Sequence, residues 1–179
     1  MQKATFSARR SAVDRVDKRA AAEVVRSAIE RSKGPLPPLF VLHFVLEDWI
    51  SSLAAIHRRH GKSSGEWCKA VFATEQMLWS VMPAKTDVDR AELSQSLKSV
   101  VTNIREVLVS GGCDPARAAY FLNRLATWQL SLLDPKKNAD GSQAVKQIDR
   151  DTIPIDLSDP TYRRLLDELQ GDNVDQIEL

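Results

Sequence analysis

GPLPPLFVLHFVLEDWISSLAAIHRRHG, residues 34–61, holds the densest apolar run of the chain and sets what the other segments must cover. Leu39, Leu42, Leu46, Trp49, Leu53 and Ile56 recur at three- and four-residue steps, and Phe40, Val41, Phe44 and Val45 fill most of the remaining circumference of the first three turns. A helix apolar nearly all round belongs in the middle of a bundle. Pro37 or Pro38 suits its first turn, where an N–H would have no partner anyway. Arg58, Arg59 and His60 suit the negative end of its dipole, and Gly61 suits a left-handed cap. The apolar part proper, residues 36–46, is broken by prolines and His43 and ends at Glu47 and Asp48, which reads as too short to cross a bilayer.

The flanking segments repeat the helical period. Residues 11–32 place Val13, Val16, Ala20, Val24 and Ala28 on one stripe, widened by Val25 and Ile29. Ser63 and Glu66 read as a capping box for a third helix with Trp67, Val71, Thr74, Leu78 and Val81 on one face and Phe72 and Trp79 beside them. Thr86 and Asp89 read as a second box, opening a fourth helix that carries Leu93, Leu97, Val100 or Val101, Ile104 and Val107 or Leu108 and closes at Gly111 and Gly112. Asp114 and Pro115 start a fifth, with Ala118, Phe121, Leu122, Leu125, Trp128 and Leu132. No strand period interrupts this order, apart from a weak alternation in the last residues. The expectation is all-α: an antiparallel bundle of about five helices over residues 11–133, behind a disordered start at 1–10. A polar linker at 134–157 and a short helix with a tail at 158–179 follow, Tyr162, Leu165, Leu166 and Leu169 forming the stripe of that helix.

Composition narrows the class without selecting a ligand. The chain has 179 residues, 43% hydrophobic and 27% charged, as in ordinary globular proteins. Its formal net charge is +1, unevenly spread. Residues 1–33 carry nine Lys/Arg against four Asp/Glu, and residues 134–179 carry six against eleven. Two cysteines make no disulfide framework, and the N-terminus has no apolar signal core, so a reduced, cytoplasmic setting is expected.

Four landmarks occur in order: PLPPLFVLHFVLEDW at 35–49; Gly61 followed by SSGEW at 63–67; LWSVMP at 78–83 with Lys85, Asp89 and Arg90; and the turn at 111–115. This order resembles the bacterial proteins grouped as domain of unknown function 1631 (DUF1631), over residues 20–133. One departure is Ala84, which separates Pro83 from Lys85 where that family tends to place Lys directly after Pro. Leu169, Gln170, Gly171, Asp172 and Val174 also look like the opening of the small β-rich domain that follows the helical part in such proteins. The resemblance implies the last helical part of a longer protein, with any link to cyclic-di-nucleotide signalling lying in that β domain.

His43, Trp49, Glu75 and Trp79 could line a ligand pocket, with Trp67 as a further landmark, although Trp at helical spacing more often fills a core. His43, inside the apolar helix, is expected to be buried and to donate to a carbonyl or carboxylate, Glu75 being one candidate. Glu47 and Asp48 are successive, point about 100 degrees apart on a helix and should not form a carboxylate dyad. His57, His60 and Cys68 lack a fourth ligand and are flanked by Arg58 and Arg59, so no metal and no cofactor is expected, and the two histidines read as a solvated helix end. Cys68 and Cys113 lack a His-plus-acid context and read as inert. Arg15, Lys18, Arg19 and Arg26, with Arg9 and Arg10, make a basic face without interleaved aromatics, which disfavours nucleic acid.

The leading expectation is a non-catalytic interaction or regulatory module acting through a protein partner or self-association, with no membrane contact. A small-ligand or enzymatic domain, or nucleic-acid binding through the first helix, are the alternatives.

Overall fold

The computed structural model describes residues 2–32, 37–82 and 86–133, with side-chain surroundings from residue 13 onward. These residues form five α-helices and no β-strand. They are α1 (Gln2–Ser32), α2 (Leu39–His60), α3 (Gly65–Val81), α4 (Asp87–Gly111) and α5 (Pro115–Leu133). The expected linker at 134–157 and the short helix and tail at 158–179 lie outside the described residues.

The central position of α2 follows from its sequence. Val41, Val45, Trp49 and Leu53 are completely buried, and Leu42 and Ile56 nearly so. The C-terminal half of α2 packs on α1, α3 and α4, and its N-terminal half meets α5 through Phe40 and Phe44. Pairings of Phe40 with Trp128, Phe44 with Phe121 and Asp48 with Arg117 show that α2 and α5 run antiparallel. α2 is 22 residues long with a mean hydropathy of 1.6 over its most apolar window, so the expectation that this stretch is too short to span a bilayer is corrected: length and composition alone would allow it. What accounts for its hydropathy is the bundle, since 61% of that window is buried.

α2 is not uniform. Val45–Trp49 forms a π-helical turn, closed by the Ile50 N–H donating to the Val45 carbonyl. Such a turn inserts one extra residue and resets the facing of all that follow. At the far end Gly61, with φ of 78°, takes a conformation that side chains rarely adopt.

The starts of α3, α4 and α5 match the sequence with one shift, whereas Pro38 precedes α2, which begins at Leu39, rather than lying in its first turn. Thr86 and Asp89 form the expected reciprocal box: the Asp89 N–H donates to Thr86 Oγ1 at 3.1 Å and the Thr86 N–H to Asp89 Oδ2 at 2.9 Å. Asp114 Oδ1 accepts from the Arg117 N–H at 2.9 Å. α3 is capped by Ser64 rather than Ser63, its Oγ accepting from the Trp67 N–H at 3.1 Å while donating to the Gly61 carbonyl at 2.9 Å. The second of these bonds ties the cap to the end of α2, a constraint that local pattern does not contain.

α1 departs most from expectation. It begins at Gln2 rather than near residue 11, in a stretch without Gly or Pro that includes residues expected to be disordered. Its buried line is Asp17, Ala21, Val25 and Ala28, whereas Val13 and Val16 of the expected stripe are 49% and 63% exposed. The face is chosen by Asp17, which meets α2, and by small residues that let α1 approach closely.

One polar group interrupts the core. Gln129 is completely buried; its Nε2 donates to Ser80 Oγ at 2.8 Å, and its Oε1 is the one buried side-chain oxygen or nitrogen without a partner among the described residues. Ser80 already donates to the Met77 carbonyl. Gln129→Met is therefore expected to be neutral or stabilising by up to about 1 kcal/mol, because it removes an orphan acceptor at similar volume. An unfolding free energy in urea lowered by more than about 1 kcal/mol would show that Gln129 is satisfied in solution.

Candidate functional site

The N-terminal half of α2 has α5 on one side and leaves an open groove beside it. Its cavity is about 460 Å³, bounded by Leu39, Phe40, His43, Phe44, Glu47 and Asp48 from α2 and by Arg117, Tyr120, Phe121 and Arg124 from α5. The α5 residues fall at the i, i+3, i+4, i+7 spacing of a single helix face. Phe44 and Phe121 stack face to face, centroids 3.6 Å apart and 4° from parallel. Phe40 meets Phe121 and Trp128 at 6.3 and 6.2 Å. The Trp128 indole is held by donating to the Val81 carbonyl at 2.9 Å, so the aromatic floor is braced from α3.

The rim is polar and built around one arginine. Arg117 Nη2 lies 2.6 Å from Glu47 Oε2 and 2.7 Å from Asp48 Oδ2, and its Nε donates to Asp48 Oδ2 at 3.0 Å. Glu47 and Asp48 therefore converge on one guanidinium despite being successive residues. Both sit in the π-helical turn, where each residue rotates less about the axis, and Arg117 reaches across both. The hydrogen bonds that Arg117 donates to Asp48 and then to Glu47 hold its pKa above the ordinary value. Arg124 lies with its guanidinium carbon 4.9 Å from the Phe40 centroid and 5.7 Å from that of Tyr120, and it makes no ion pair among the described residues.

The expected pocket does not assemble. His43 is exposed and lines the groove, so the expectation of a buried histidine is corrected. Glu75 is paired with Arg31 at 2.6 Å, on the α1 side of the bundle. Trp49 is buried in the core with its indole donating to Thr74 Oγ1 at 3.0 Å. Trp79 is half-buried and lines no part of the groove. Trp67 is buried against the His57 ring, centroids 4.9 Å apart.

His57 is not a solvated helix end. Its Nδ1 lies 2.7 Å from Asp17 Oδ1, and Arg58 Nε donates to Asp17 Oδ2 at 3.0 Å while also pairing with Asp14. Burial pushes the Asp17 carboxyl up, but the hydrogen bonds from His57 and Arg58, reinforced by both charges, outweigh it and hold the group below its usual 3.8. A carboxyl depressed in the folded state contributes stability above its unfolded pKa and loses it as pH falls through the folded value. The wild type is thus expected to lose urea stability below about pH 4 more steeply than Asp17→Asn. Equal slopes between pH 5 and 2.5 would show that the pair contributes nothing.

Among the described residues no three His, Cys, Asp or Glu side chains are grouped to hold a metal ion, and His60 and Cys68 are exposed, away from the buried Asp17–His57 pair. Cys113 is half-buried; burial and then the Asp48 charge push its thiol up, which keeps it protonated at neutral pH. On the basic face, Arg15, Lys18 and Arg19 are exposed, but Arg26 is taken up by Glu23 and Glu30.

The fold and the site both lie within a stretch that matches a known family model. The model described as "Protein of unknown function (DUF1631) third domain" matches residues 11–126. The chain belongs to the DUF1631 family. The matched stretch runs from α1 into the last turns of α5, so this DUF1631 domain includes both walls of the groove. No curated protein and no solved structure matches the chain significantly.

The groove residues that sequence reasoning missed are Phe40, Phe44, Arg117, Tyr120 and Arg124. The α5 spacing was present as a signal, but Phe121 reads equally well as core. The π-helical turn that brings Glu47 and Asp48 to Arg117 has no sequence signature of its own.

Proposed function

We propose that this DUF1631 domain is a non-catalytic interaction and regulatory module of a cytoplasmic bacterial protein, and that its contact surface is the α2/α5 groove. The observation that carries this reading is the groove itself: Phe40, Phe44 and Phe121, each 8% exposed or less, back a cleft long enough for about two turns of helix, with Tyr120 65% exposed at its edge. Helix-in-groove recognition uses such a floor for apolar anchors at i, i+3, i+4 and i+7. Arg124, stacked on aromatic rings and without an ion pair, favours a partner helix with an acidic flank. The carboxylates nearest the cleft are both engaged by Arg117, and no Ser, Thr or Cys side chain hydrogen-bonds to His57 among the described residues, which supports a binding role over catalysis.

The test is photo-crosslinking in cells with p-benzoylphenylalanine in place of Tyr120, compared with the exposed α4 position Glu92. The expected result is a dominant protein adduct from position 120 alone. Equal adducts from both positions would count against the groove.

A second reading has some support. A cavity of about 460 Å³ is within the range of small-molecule sites, and His43 and Arg124 supply polar groups beside the rings. Saturable quenching of Tyr and Trp fluorescence by a small aromatic acid, lost in Arg124→Glu, would favour it. Nucleic-acid binding through α1 is less supported, because Asp14, Asp17, Glu23 and Glu30 interrupt its basic residues.

A further inference from the structure

Resting on the groove reading above, we infer that the groove has a resident occupant, the chain's own segment at residues 159–170, which competes with an external partner for the same site. Three observations converge on this segment. Tyr162, Leu165, Leu166 and Leu169 repeat the i, i+3, i+4, i+7 spacing that a groove of this kind takes. Tyr162 to Leu169 spans about 10 Å as a helix, against about 14 Å for the groove wall from Leu39 to Asp48.

The length of the intervening chain allows the segment to reach the groove. α5 is itself one wall of the groove and ends at Leu133, about 14 Å along its axis beyond Arg124. A linker of 24 residues, the length from 134 to 157, has a reach of about 27 Å by polymer scaling, enough to allow a return along the groove. Tethering at this length gives an effective concentration in the millimolar range, so even a weak helix occupies the site in cis.

Charge agrees with the placement. Arg124, the groove cation without an ion pair among the described residues, faces a tail with six Lys/Arg against eleven Asp/Glu. The segment itself carries Asp159, Asp167 and Glu168 against Arg163 and Arg164, with Asp167 and Glu168 placed between Leu166 and Leu169. Docking would seat the leucines and Tyr162 over Phe40, Phe44 and Phe121 and bring this acidic pair to the rim.

The experiment uses the full 179-residue chain with p-benzoylphenylalanine in place of Tyr120, irradiated in dilute solution and mapped by mass spectrometry. The expected result is an intrachain adduct at residues 162–169, reduced about tenfold by Leu165→Asp/Leu166→Asp. In cell lysate the same double variant is expected to raise capture of an external protein severalfold, because the groove is freed. Adducts that join two chains and vanish on dilution would overturn docking in cis. Lysate capture of an external protein, with no adduct at 162–169 in purified chain and no rise in the double variant, would overturn the inference while leaving the groove reading standing. No adduct to any protein in either setting would overturn both. A Leu165→Lys/Leu166→Lys variant guards against an effect of added negative charge near Arg124; retention of the intrachain adduct in that variant would overturn the apolar anchoring.

Discussion

Trp49→Ala is expected to destabilise the bundle by about 3–5 kcal/mol, a third or more of the stability of a typical domain. The side chain is completely buried at the point where α2 passes α3, and alanine leaves a cavity in the core cluster to which it belongs. The packing loss is not the whole effect. The indole N–H donates to Thr74 Oγ1 at 3.0 Å, and the Thr74 hydroxyl in turn donates to the Ala70 carbonyl at 2.8 Å. The two-bond relay satisfies a polar group that no water reaches. Thr74→Val separates the contributions: it keeps the volume, strands the indole N–H, and is expected to cost about 1–3 kcal/mol. Urea denaturation at constant m-value measures both. A loss below about 1 kcal/mol for Trp49→Ala would mean that the site collapses around the vacancy.

Gly111→Ala is the second large effect, and its sign depends on tertiary contact. Gly111 ends α4 with no positive φ, so intrinsic propensity alone would favour alanine by up to about 1 kcal/mol. A Cβ there would meet the Ser52 Cα at 2.6 Å and the Ser52 side chain closer still, where α4 crosses α2. Ser52 is buried and its hydroxyl donates to the Asp48 carbonyl at 2.9 Å, so neither backbone nor side chain can give way cheaply. Overpacking of this kind costs about 1–3 kcal/mol or more, and a Tm lowered by roughly 5–10 °C is expected. Ser52→Gly should restore only part of that loss, because the Ser52 Cα remains in the way. Gly65→Ala is the control: a Cβ at Gly65 meets nothing within 4 Å, so the change should be neutral or slightly stabilising. Equal Tm values for the two alanine variants would show that the α2/α4 crossing relaxes freely.

The same crossing reaches toward the groove. Ser52 follows the π-helical turn that carries Glu47 and Asp48, and its hydroxyl caps the Asp48 carbonyl, one of the groups that a widened turn leaves poorly matched. Close approach of α4 at Gly111 thus steadies the acidic rim from behind, while Arg117 holds it from the front.

Features that depend on neighbours a few residues apart are legible without the fold. The helix order, the Thr86 and Asp114 caps, the stop at Gly112 and the central burial of α2 all follow from period, capping chemistry and a face too apolar for water. The family landmarks at 35–49, 61–67 and 78–83 lie on these same elements. The remaining features depend on contacts between distant segments. Which face of α1 is buried was settled by Asp17 finding His57 and Arg58, 40 and 41 residues away. Whether His43 is inside or outside depended on where α5 stops covering α2. The convergence of Glu47 and Asp48 on Arg117 required a π-helical turn and a partner 70 and 69 residues on. Local pattern reports the hydropathy of a face. It does not report which neighbour arrives to cover that face, or where cover ends, and the groove lies at that boundary.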